Sequence, residues 1–137
     1  MSDAGWEIQK AVYSKLSAVG ALSGKVWDTP PPGTAPPYIT IGDDTVAPFD
    51  TDPGAAGDSG FGFEATITIH AWSRYEGFKE TKELLGHVYT ALHTQALTVT
   101  GYRQVFCYFD FGDSMHDPDG VTRHSVARYR LALTNDN

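Results

Sequence analysis

Between Phe61 and Trp72 the chain alternates strictly in polarity. Phe63, Ala65, Ile67, Ile69 and Ala71 share one parity, and Glu64, Thr66, Thr68, His70 and Trp72 share the other. A period of two is the signature of a pleated strand with one buried face, and a slip of one residue would turn that apolar face into water. The chain must therefore supply an apolar layer against one side of a sheet. Two segments have the spacing to do so. Over residues 4–19, Ile8, Val12, Leu16 and Val19 form a helical stripe, with Ser2 or Asp3 placed to cap it and Gly20 or Gly24 to end it. Over residues 76–94, Phe78, Thr81, Leu85, Val88 and Leu92, flanked by Leu84 and Ala91, form a second.

The remaining strands follow from turn chemistry. Lys25–Asp28 is a short strand running into a proline-rich stretch, residues 29–37, which reads as a stiff extended connector. Tyr38–Gly42 alternates again, and Leu97–Val99 is expected as a short strand closing at Gly101. Tyr102–Phe111 is apolar on both faces, which suits a central strand or one covered by another subunit. Asp117-Pro118-Asp119-Gly120 marks a tight turn, and Val121–Leu133 returns as the second arm of a long hairpin. The expected fold is α+β: an antiparallel sheet of about four main strands with two helices packed on one face, in the order α-β-β-β-α-β-β-β. At 137 residues the chain is read as one domain, 1–137.

Charge is unevenly placed. No Lys or Arg lies between Lys25 and Arg74, and that stretch holds Asp28, Asp43, Asp44, Asp50, Asp52, Asp58 and Glu64. The other ten acids balance the ten bases, so the formal charge of -7 belongs to one third of the chain. Residues 43–60, rich in Asp and Gly with two prolines, read as a mobile acidic loop between two antiparallel strands. With no basic patch, affinity for a nucleic-acid backbone is disfavoured. No apolar run is long enough to span a membrane, and no membrane partner is expected.

The search for chemistry returns no catalytic, cofactor or metal site. Gly57–Gly62 is glycine-rich but lacks the Lys and Ser/Thr of a phosphate loop. Cys107 could be paired on paper with His70, His87, His93, His116 or His124, yet it sits mid-strand among aromatics, where a buried thiol is the ordinary reading. Asp113, Asp117 and Asp119 do not match a calcium loop and fit a hairpin turn better. His116 and His124 flank that turn and are read as solvated positions facing each other across it.

What is left over is surface for interaction. Trp27, Tyr38, Trp72, Tyr75, Tyr102, Phe106 and Tyr108 exceed what one helical layer on one sheet face requires. Trp72, Phe106 and Tyr108 are the candidate subunit-interface residues.

Taken in order, Ala11–Ala18, Val26-Trp27-Asp28, Pro37–Gly42, Ala65–Ser73, Tyr75-Glu76-Gly77, Ala91-Leu92, Leu97–Tyr102, Asp117–Gly120 and Arg128–Leu131 resemble the tail-completion, or tail-terminator, family of long-tailed phages and gene transfer agents. The likeness runs from about residue 6 to 133 and rests on order and spacing, since the motifs are structural rather than catalytic. It implies a homo-oligomeric ring, usually hexameric, at the head-proximal end of a tail tube. Such a ring stops tube polymerisation, joins tube protein to head–tail connector or adaptor proteins, and lets DNA pass its lumen without specific binding. It implies a protein made in the bacterial cytoplasm and built into the particle, with no cofactor. On that reading Asp43, Asp44, Asp50, Asp52 and Asp58 face the lumen or the connector, where fixed acids repel phosphate. The alternatives are a head–tail adaptor or stopper of the same particle and, from another class, a small cytosolic enzyme or ligand-binding domain.

Overall fold

A computed structural model describes residues 3–50 and 61–135. Helix α1 (Ala4–Ser17) is followed by a short 3₁₀ turn (Gly20–Leu22), strands β1 (Val26–Trp27), β2 (Tyr38–Asp50) and β3 (Phe61–Ser73), helix α2 (Lys79–Leu92), and strands β4 (Tyr102–His116) and β5 (Arg123–Asn135). The five strands form one sheet in the order β1-β2-β3-β5-β4. All neighbours are antiparallel except β1 and β2, so the sheet is mixed rather than purely antiparallel.

Both helices lie on one face of the sheet. Asp3 caps α1 by accepting the Gly5 N–H at 2.8 Å, and the expected stripe points inward, with Ile8, Val12 and Leu16 buried. Helix α2 starts later than its apolar pattern suggests. Gly77 takes a positive φ, and Ser73 Oγ, accepting the Tyr75 N–H and donating to Glu80, holds the preceding turn. Thr81, Leu84, Val88, Ala91 and Leu92 face the core. Between the layers lie Ile39, Ile41, Ile67, Ile69, Tyr129, Leu131 and Leu133, all essentially inaccessible, and each large aliphatic side chain buried there contributes roughly 1.5–3 kcal/mol.

Three expectations are corrected. Residues 97–99 form no strand: the Leu97 N–H is taken by the Gln104 side chain, and a turn closes from the Tyr102 N–H to the Val99 carbonyl, though Leu97 and Val99 still bury their side chains. The loop expected at 43–60 is strand over residues 43–50, because β3 is long enough to pair it from Asp44 opposite Ile67 to Asp50 opposite Phe61. Beyond β1 this half of β2 is an edge, which is why Pro48 and exposed acids are tolerated there. Asp52 and Asp58 lie outside the described residues. Finally, β4 is the opposite edge of the sheet and not a central strand, and Val105, Tyr108, Phe109, Phe111 and Met115 remain exposed along it.

Candidate functional site

The face of the sheet turned away from the helices has no covering layer among the described residues. Register fixes what stands on it. Trp72 lies opposite Tyr38 on β2 and His124 on β5, with Met115 on β4 beyond. His70 lies opposite Thr40 and Val126. Farther along come Thr68 with Arg128 and Phe111, then Thr66 with Arg130 and Tyr108, then Glu64 with Ala132 and Phe106. Two bulges on β4, between Gln104 and Phe106 and between Phe109 and Phe111, keep its aromatics in phase with this face.

Neighbouring side chains organise one another there. Phe106 and Tyr108 stack with centroids 4.5 Å apart. The Arg128 guanidinium sits 4.4 Å from the Phe111 ring and donates from Nε to Asp110 at 2.8 Å. Arg130 donates to Glu64 at 2.7 Å. At the other end, Trp72 donates its indole N–H to Thr40 at 3.1 Å and stacks on His124. His124 Nε2 in turn is 2.7 Å from His70 Nδ1. A third bulge, on β2 between Gly42 and Asp44, holds Asp43 at a φ of +46°, a conformation an Asp side chain tolerates. It sets the Asp43 carboxylate 3.4 Å from His70 Nε2. Burial, then the neighbouring His70, lowers the pKa of His124, with Asp117 opposing.

All three candidate interface residues, Trp72, Phe106 and Tyr108, thus share the uncovered face, with Tyr108 and Phe111 each about two-fifths exposed. Tyr102, counted with the surplus aromatics, is instead a core residue, edge-on to Phe63 at 5.7 Å. Nor do His116 and His124 face each other. His116 turns to the helical side against Phe78, and His124 meets His70 across β3 and β5. That pairing was missed because it depends on a register between strands 54 positions apart. Its one trace in the sequence is that His70, Trp72 and His124 all occupy the outward parity of their strands.

The arrangement offers little to covalent chemistry. Burial pushes the Cys107 thiol up to about 11, so its nucleophilic thiolate is scarce near neutrality. The Asp119 carboxylate accepts from the Thr122 hydroxyl and from the N–H groups of Val121 and Thr122, which hold its pKa near 2 and make it part of the turn. Among the described residues no three His, Cys, Asp or Glu side chains converge as a metal site, and no helix is long and apolar enough to cross a membrane.

The family model for tail completion protein gp17 matches residues 10–134. The chain belongs to the tail completion protein gp17 family. A relative from Bacillus phage SPP1, itself named tail completion protein gp17, is 27% identical over 132 residues, covering 94% of this chain and 93% of its own length. Among solved structures, a chain in the virion of a native gene transfer agent particle superposes with a TM-score of 0.85 at 24% identity, over 98% of this chain and all of that one, so the two share a fold. The family is one of structural phage tail proteins and not of enzymes.

Proposed function

We propose that this tail completion protein forms a closed ring at the head-proximal end of the tail tube, ends tube polymerisation there, and joins the tube to the head–tail connector. The observation that carries the reading is the uncovered sheet face, on which Trp72, Phe106, Tyr108 and Phe111 stand, with β4 as its outermost strand. A monomeric protein seldom leaves so many aromatics on one face without a partner. Copies meeting head-to-tail, the aromatic face of one against a different surface of the next, close into a ring when the rotation permits.

In this arrangement the acidic segment, with Asp43, Asp44 and Asp50 from β2 and Asp52 and Asp58 beyond it, faces the lumen or the connector. The basic-free stretch from residue 26 to 73 supports that placement, because acids at short range repel phosphates and let DNA slide past.

The test is electron microscopy of particles made by a strain that lacks this protein. Overlong tubes without heads are the expected result. Normal-length tails already joined to heads would overturn the reading, and normal-length tails lacking only the joint would favour an adaptor role.

A further inference from the structure

The pair His70–His124 sits on the uncovered sheet face beside Trp72, and its geometry makes it sensitive to protons. Two imidazole nitrogens 2.7 Å apart share one hydrogen. With Asp43 beside His70 Nε2, the favoured tautomer keeps a hydrogen on that nitrogen, so His70 Nδ1 accepts and His124 Nε2 donates. One added proton is accommodated: the bridge survives, and the Asp43 carboxylate balances the charge. A second is not, because both facing nitrogens would then carry hydrogens and both rings a positive charge. The rings must separate, and Trp72, stacked on His124 and tied to Thr40, loses its platform.

The surroundings do little to offset this. On β2 the facing charged group is Asp43, 84% exposed, and on β3 the flanking residues on this face, Thr68 and Trp72, are neutral. On β5 the next residues on this face are Val126 and Arg128, and Arg128 is already paired with Asp110. On β4 the facing residues are Asp113, opposite Val126, and Met115, opposite His124. Asp117, in the turn beyond, favours the charged form of His124 but not by enough to reverse its lowered pKa.

We infer that His70 and His124 form a proton-sensitive clasp on the docking face, closed near neutrality and opened by acid, so that attachment of each copy of this chain to the next copy in the ring is pH-dependent. The inference rests on the reading of that face as a docking surface. The clasp holds His124 in place under the Trp72 ring, and opening it both adds positive charge and reshapes the face that the next copy covers.

Two measurements test it. In the purified protein, nitrogen-15 NMR of the imidazoles should show a hydrogen bond between His124 Nε2 and His70 Nδ1 near neutrality and its loss in acid. No such bond near neutrality, or a bond that survives in acid, would overturn the clasp. In purified particles, pelleting at about pH 7.5 and about pH 5 followed by immunoblotting should find roughly tenfold more wild-type protein released in acid than near neutrality. In particles carrying His70→Gln, which leaves His124 stacked under Trp72 and offers its Nε2–H an amide oxygen but cannot charge, the acid-to-neutral ratio of release should fall toward one. A ratio as large in His70→Gln as in wild type overturns the coupling to docking. If the wild-type protein is absent from particles even near neutrality, the ring reading itself fails, and the NMR result still decides whether the clasp exists.

Discussion

Trp72 lies flat on His124, with ring planes 8° apart and centroids 3.8 Å apart, although 52 positions separate them in the chain. The contact exists because β3 and β5 are paired throughout their length, with these two residues directly opposite. It divides the molecule into two chemical halves. On the helical side the sheet is sealed by aliphatic packing. On the other side aromatic rings, two arginine–carboxylate pairs and a histidine pair lie in order, and nothing among the described residues covers them.

That division makes the aromatic face separable from the fold. Tyr108→Asp should leave the purified protein folded, with a stability loss of no more than about 1.5 kcal/mol from the lost stack on Phe106, because its side chain lies outside the core. Tail assembly should fail. Thermal unfolding of the purified variant and electron microscopy of particles check the two halves of the statement. Normal particles carrying the substitution would remove Tyr108 from the interface.

Acid should weaken the isolated domain in two steps. His124 has a folded pKa below its ordinary value of about 6.5, so below that pH the unfolded chain binds the extra proton more readily and stability falls with pH. Asp119, held near 2 against an ordinary value near 4, contributes stability that is present above about pH 4 and is lost as pH falls toward 2. Denaturant midpoints measured across this range should decline in both windows. His124→Gln should remove the upper decline and Asp119→Asn the lower.

Much of the fold was legible because periodicity reports burial directly. Ile8, Val12 and Leu16 on α1 and the Phe63–Ala71 parity on β3 point where their spacing says they must. Composition misled at Asp43–Asp50, where acids and a proline suggested a loop. An edge strand needs only one neighbour and no burial, so β3 could hold it. Apolarity misled at β4, since a strand that reads as buried on both sides can instead be an edge with a bare aromatic face. The aromatics of the uncovered face, Trp72, Phe106 and Tyr108, were legible as a surplus. The histidine pair was not, because strand register is set by tertiary packing that no local pattern encodes.

Tyr129 is fully buried, and among the described residues nothing hydrogen-bonds its hydroxyl. Burial, with Cys107 and Tyr89 nearby, also raises its pKa well above the ordinary phenol value. A buried hydroxyl without a partner forfeits its hydration for no return, so Tyr129→Phe should be neutral or stabilising by up to about 1 kcal/mol. Chemical denaturation settles it, and a loss of more than about 1 kcal/mol would mean that the hydroxyl has a partner in solution.

A chain of hydroxyls joins α2 to the terminal hairpin. Ser125, inaccessible near the start of β5, donates to Thr81 on α2 at 2.9 Å and shares a 2.7 Å hydrogen bond with Ser114 on β4. Thr81 also donates to the Phe78 carbonyl at 3.1 Å, so it keeps one bond if Ser125 is truncated, whereas Ser114 loses its inward partner. Ser125→Ala should therefore cost about 1–2 kcal/mol, the usual loss for one buried hydrogen-bonding partner. Thr81→Val should cost a similar amount, and the double variant less than the sum, since each substitution removes the same Ser125–Thr81 bond. A double-mutant cycle on unfolding free energies measures this coupling. Strict additivity would show that the two hydroxyls stabilise the helix and the hairpin separately, and that aliphatic packing alone holds α2 to β5.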